Sequence, residues 1–111
     1  MNKIFKSVNM YNQYIKYRLP SLKSELYLIK WLPESATIFH GHQGKQCDFM
    51  LLGGSHLIEK RRINGNPVET GQIIYPFKKY SINDTIGIHR IINNENKMKW
   101  SLHRYYYHCK I

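Results

Sequence analysis

From Glu25 onward the chain is cut at short intervals by turn-forming residues. PES, GKQ, GG, NGNP, NDT and NNEN separate ELYLIKWL, SATIFHGH, CDFMLLGG, SHLIEKRRI, GQIIYPF, IGIHRIIN and MKWSLHRYYY. Each of these segments is brief and rich in β-branched or aromatic residues, and little between them reads as a long helix. ELYLIKWL sets Leu26, Leu28 and Lys30 against Tyr27, Ile29 and Trp31, the period-two pattern of a strand, and Pro33 ends it. Several short strands at close spacing predict a mainly β chain, an antiparallel sandwich or small barrel. Residues 1–18 mix Lys, Asn and Tyr with weaker spacing; they read as a lead-in over residues 1–12, with a short helix running into a first strand. A length of 111 residues suits one domain over residues 1–111, with one core.

Lys and Arg number 17 against 7 Asp and Glu, a net charge of +10. Such a charge attracts polyanions, but Lys here is scattered among Ile, Asn and Tyr, as AT-rich coding produces. No RRM, KH, zinc-finger or helix-turn-helix pattern accompanies it, so nucleic acid is not the expected partner. No apolar run approaches the roughly 20 residues of a bilayer span, and MNKIFKSVNM is not built like a secretory signal. The expectation is a protein without a membrane partner, in the cytoplasm (the host cytoplasm for a viral chain), as a monomer or weak oligomer. Cys47 and Cys109 are then expected as reduced thiols rather than a disulfide.

The segment HGHQGKQC brings two histidines one residue apart, with a thiol close behind. On a strand, residues two apart share a face, so His40 and His42 present two imidazoles together while Gly41 faces away without bulk. A third ligand has to come from elsewhere, and His89 in IGIHRIIN leads. Three neutral imidazoles suit Fe(II), Zn(II), Cu(II) or Ni(II), so ligand type leaves the metal open. An HxH by chance in a chain with six histidines is the competing reading. SLHRY adds Ser101, His103 and Tyr105 in one row, able to pass a hydrogen bond from hydroxyl to imidazole to phenol. Tyr106, Tyr107, His56, His108 and Cys109 read as packing or surface residues.

Taken together these stretches resemble the cysteine dioxygenases, thiol dioxygenases of the cupin superfamily. HGHQGKQCDFMLLGG is similar to the first cupin motif of that family, with Cys47 where many other cupins place a metal-binding Glu and Gly54 at the closing turn. YSINDTIGIHRIIN is similar to the second, with Asp84, Gly87, His89, Arg90 and Asn93 in register. WSLHRY matches a Ser-x-His-x-Tyr strand, and QYIKYR, ending at Arg18, resembles the segment that bears a substrate-carboxylate arginine.

The resemblance implies a small cupin-type antiparallel β-barrel, jelly-roll-like, shortened at both ends relative to the family, with a more open pocket. It implies Fe(2+) held by His40, His42 and His89, and oxidation of L-cysteine by O2 to cysteine sulfinate. Cys47 and Tyr105 correspond to the pair that forms a thioether crosslink in animal members. Arg18 corresponds to the carboxylate ligand, and Lys16 stands where a tyrosine commonly assists it. HGH replaces the usual HDH, so contacts normally made by that Asp are expected to be lost. Two other outcomes remain open at this point: a dioxygenase for 3-mercaptopropionate or another small thiol, and a metal-binding cupin module that performs no catalysis.

Overall fold

The computed structural model describes residues 5–9, 14–66 and 68–107, with side chains from Tyr14 onward. Nine strands make up its regular structure: β1 (Phe5–Asn9), β2 (Tyr14–Leu19), β3 (Glu25–Trp31), β4 (Gln46–Leu51), β5 (Leu57–Ile63), β6 (Glu69–Ile74), β7 (Lys79–Ile82), β8 (Gly87–Ile92) and β9 (Lys99–Tyr106). They form a six-stranded sheet in the order β1-β2-β3-β9-β4-β7 and a three-stranded sheet in the order β6-β5-β8. Every pairing between these strands is antiparallel. The mainly β antiparallel architecture expected from the turn spacing is what is found. Among the described residues there is no helix, and none long and apolar enough to cross a membrane.

Among the described residues of 1–18, where a short helix is expected, two antiparallel strands are found instead. Phe5 pairs with Arg18 and Asn9 with Tyr14, so β1 and β2 extend the large sheet at one edge. Lys and Tyr obscured this in the sequence because both can lay an apolar stem on a sheet while keeping a polar tip in water. The four-residue strand β7 was not foreseen either; it closes the opposite edge against β4. SATIFHGH, read as a strand, is an irregular extended segment. It touches β8 through isolated bridges at Ala36 and His40, with backbone bonds to Asn93, Ile91 and His89.

Alternation fills the space between the sheets. Ile29 and Trp31 of β3, Cys47, Phe49 and Leu51 of β4, Leu57 of β5 and Ile91 of β8 form the buried core, with Ile74, Tyr80 and Ile82. Burial of such side chains contributes about 25 cal/mol per Å² of apolar surface, the main favourable term in a sheet sandwich. The inward row of β9 breaks the apolar rule: Lys99, Ser101 and His103 are buried, while Trp100 and Leu102 face outward and are half-buried. Trp100 is covered outside by Tyr17, ring centres 6.0 Å apart. The polar row is what the interior spends on a site.

Candidate metal centre

His40 and His42 reach the interior from the irregular segment, and His89 from β8. Main-chain bonds in both directions between His40 and His89 (2.9 and 3.2 Å) lock the two residues side by side. Their Nε2 atoms are 3.1 Å apart, and those of His42 and His89 are also 3.1 Å apart. The three ligand atoms all lie within 4.8 Å of one another. The structure thus brings together the three histidines expected from the sequence, although the pair two residues apart is not on a regular strand.

The protons on the outer nitrogens decide what the inner ones offer. His40 Nδ1 is 3.0 Å from the Ile38 carbonyl, which can only accept, so Nδ1 carries the hydrogen and Nε2 a lone pair. His89 Nδ1 lies 2.7 Å from Glu59 Oε2 and donates to it in the same way. Burial works to raise the Glu59 pKa, but the bonds from His89, Arg61 and Gln72 outweigh it and hold the carboxyl below its ordinary value. When both rings are neutral, two nitrogen lone pairs therefore face each other at 3.1 Å, which is repulsive unless a proton or a metal ion lies between them. Burial, followed by the charges of His89 and His40, lowers the His42 pKa to about 4, so this third ring is neutral near pH 7. Its buried Nδ1 has no hydrogen-bond partner. Two nitrogens about 2.1 Å from one ion at right angles would be about 3.0 Å apart, so the donor set fits a divalent cation. His40 is likewise held below the usual histidine value by burial, opposed by its Ile38 bond.

Glu59 is the functional residue that the sequence reading missed. It is fully buried, and besides His89 it accepts from Arg61 Nε (2.8 Å) and Gln72 Nε2 (2.5 Å). The signal was available: the alternation that puts Leu57 inside also puts Glu59 inside. Asp84, which the resemblance placed in register with the second motif, buttresses the histidine loop. Its carboxylate accepts the His42 N–H and the Gly44 N–H, both at 2.7 Å. A Cβ on Gly41 would lie 3.0 Å from Asp84 Oδ1. The Asp84 carboxylate thus occupies the space that Gly41 leaves free.

The polar row of β9 stands opposite. The Trp31 indole N–H donates to Ser101 Oγ at 2.8 Å, and Ser101 Oγ is 2.7 Å from His103 Nε2. Because the indole can only donate, the hydroxyl is free to donate onward to His103. Burial drives the His103 pKa well below the usual value, so the ring is neutral. Tyr105 is the cross-strand partner of Cys47. Burial pushes Cys47 up to about 12 and Tyr105 well above the phenol range, so both keep their protons near neutrality.

A cavity of about 350 Å³ joins these groups; the three histidines, His103, Tyr105 and Lys16 all line it. Arg18 does not. It is exposed, with Nη1 donating to the Tyr27 hydroxyl at 3.4 Å. His56 is bonded to Asn94 at 3.2 Å, away from the cavity, while His108 and Cys109 lie outside the described residues.

No protein-family model matches the chain, and no curated protein matches it in sequence. Solved structures do. The Drosophila melanogaster CENP-C cupin domain superposes with a TM-score of 0.71 at 12% identity, over 91% of this chain and 74% of that one. The capsular polysaccharide assembling protein CapF from Staphylococcus aureus gives 0.69 at 13% identity, over 97% of this chain and 32% of that one. An oxalate oxidase gives 0.62 at 12% identity, over 74% of this chain and 41% of that one. At these identities the likeness establishes the fold, which is that of the cupins, with three histidines placed to hold a metal ion.

Proposed function

We propose that the chain is a non-haem iron thiol dioxygenase that oxidises L-cysteine to cysteine sulfinate. The observation that carries this reading is the cross-strand pair Cys47 and Tyr105, whose phenol lines the same cavity as three converging imidazoles. His40, His42 and His89 would hold the metal. Fe(II), when bound, supplies the redox chemistry with O2 and the positive charge that favours a thiolate over a thiol. In the overall reaction the thiol sulfur gains both oxygen atoms of O2 and its carbon–sulfur bond stays intact; sulfur is oxidised, O2 is reduced, and the product leaves as a sulfinate and a proton.

The remaining roles fall to the chain's own side chains. Glu59 fixes the His89 tautomer, so that its lone pair points inward. Trp31, Ser101 and His103 form a fixed hydrogen-bonded chain that sets the polar wall of the cavity. Tyr105 keeps its phenolic proton and is placed to donate it to a bound anion. Phe49 stacks on His103 with ring centres 5.4 Å apart, which limits water behind the polar row.

A second reading, a metal-binding cupin without turnover, is favoured by the exposure of Arg18, the residue that the family resemblance puts on the substrate. Anaerobic loading with Fe(II), then O2 uptake with cysteine and detection of the sulfinate, separates the two. Turnover is expected to convert part of the protein to a form lighter by two hydrogens, through a Cys47–Tyr105 thioether, and Cys47→Ser is expected to abolish that form. An iron-loaded protein that binds cysteine and consumes no O2 would leave the binding-module reading.

A further inference from the structure

The three-stranded sheet turns one face to the interior and the other outward. Leu57, Glu59, His89 and Ile91 are buried, so alternation sends Lys60 and Arg62 of β5 and Arg90 of β8 to the outer face. Lys60 stands directly across the ladder from Arg90. Like charges so placed repel, and the pair is no part of what holds the sheet together. Arg62 follows two residues along β5. The guanidinium carbons of Arg62 and Arg90 lie 4.2 and 5.9 Å from the centre of the Phe39 ring, which holds both cations without neutralising them. Arg90 Nε is buried and has no hydrogen-bond partner. Among the described residues of these strands the one outward carboxylate is Glu69, 3.6 Å from Lys60. Asp84, at the Gly41 end of the face, is turned to the main-chain N–H groups of His42 and Gly44.

Beside the cations the face is apolar and low. Ile73, Ile58 and Ile92 make one row across the three strands. Gly71 pairs with Lys60, and a Cβ there would meet only the Glu59 carbonyl oxygen at 3.9 Å. A glycine inside a strand leaves room for another backbone to approach. We propose that this face binds single-stranded nucleic acid, with Lys60, Arg62 and Arg90 on the phosphates and Phe39 and the isoleucine row against the bases. Cations that track a backbone, joined to an aromatic side chain that meets base faces, hold unpaired strands without reading their sequence. A duplex hides its base faces, and its major groove admits a helix or a two-stranded ribbon, not a three-stranded sheet. A simple acidic chain would leave the ring and the isoleucines unused. The net charge of +10 draws polyanions towards the chain from a distance. No short motif announces the surface, because three strands and the segment 35–42 assemble it and none of them contains it alone. It lies on the far side of β8 from the His89 ring and does not depend on the reading of the cavity.

The test is fluorescence anisotropy of the full chain with a labelled oligouridylate of about 12 nucleotides, repeated over a range of salt concentrations. Three phosphate contacts on a single strand predict a log–log salt slope of about −2, at about −0.7 for each contact. Lys60→Gln and Arg62→Gln are each expected to weaken binding about 3- to 10-fold and to reduce the slope by about 0.7. Lys30→Gln, which removes the same charge from the large sheet, is expected to leave the affinity within about twofold, since charges beyond a Debye length are screened. Phe39→Leu, shown to be folded by its circular-dichroism melt, is expected to weaken oligouridylate about 5- to 100-fold and to leave inorganic polyphosphate unchanged. The proposal is overturned by equal losses in Lys30→Gln and Arg62→Gln, by an unchanged affinity in Arg62→Gln, or by a Phe39→Leu loss that extends to polyphosphate. Tighter binding of a duplex of the same length, equal binding of polyglutamate, or no binding of the oligouridylate near physiological salt overturns it too.

Discussion

At the scale of single residues, the site is governed by which nitrogen of each imidazole carries a proton. For His89 that choice belongs to Glu59, a carboxylate with no solvent contact whose charge is shared with Arg61 and Gln72. Glu59→Gln retains the shape and can still accept from His89, but it removes the negative charge that makes the ring a strong donor to a cation. Metal affinity is expected to fall by about 10- to 100-fold, measured by competition with a chromophoric chelator at neutral pH. An affinity within twofold of the original would show that Glu59 only packs. Asp84 acts on the other side of the site through the main chain. By accepting the N–H groups of His42 and Gly44 it fixes a loop that has no ladder of its own.

At the scale of elements, Gly87 shows how closely the small sheet is drawn. It pairs with Ile63 across the β5–β8 ladder, with φ at 154°, and a Cβ there would stand 2.1 Å from the Arg62 carbonyl oxygen. Backbone cannot yield that distance without breaking the ladder that carries His89. Gly87→Ala is expected to destabilise the protein by about 2–4 kcal/mol in a thermal or urea melt, and to weaken metal binding in parallel. A melt within about 0.5 kcal/mol of the original would mean that the ladder shifts freely. The same strands explain what could be read in advance. Alternation and turn residues marked β3, β4, β5, β8 and β9 because each carries β-branched or aromatic side chains on a fixed period. The sequence HGH with a distant His89 marked the three clustered imidazoles because their candidacy as chelators depends on residue type and facing alone. Other features escaped, the short strand β7 among them. The irregular segment 35–42 owes its course to long-range backbone bonds with β8. The β1–β2 pair carries Lys and Tyr in place of a clean apolar face. Glu59 counts as a site residue only once β5 and β8 are known to be neighbours.

At the scale of the whole molecule, cations among the described residues lie on both sheets. Lys30 lies over Trp100 on the large sheet (5.7 Å), while Arg62 and Arg90 lie over Phe39 beside the small one (4.2 and 5.9 Å). The interior holds the groups that respond to acid. His42 titrates at about 4 and His103 well below its ordinary value of 6.5, each because burial penalises the charged ring. The unfolded chain therefore takes up protons on these histidines first, between pH 6.5 and about 4. Their stabilising contribution is complete above 6.5 and is lost as the pH falls through that window. The buried carboxylate Glu59, held below its usual value, adds loss of the same sign at still lower pH. For the metal-free protein, urea midpoints are expected to be level above about pH 7 and to fall by more than about 1 kcal/mol in unfolding free energy by pH 5. His103→Asn, which leaves Ser101 a polar neighbour and removes one titrating ring, is expected to flatten part of that slope. A midpoint unchanged down to pH 5 would mean that both rings reach water in the folded state, and that the polar row of β9 does not face a closed interior.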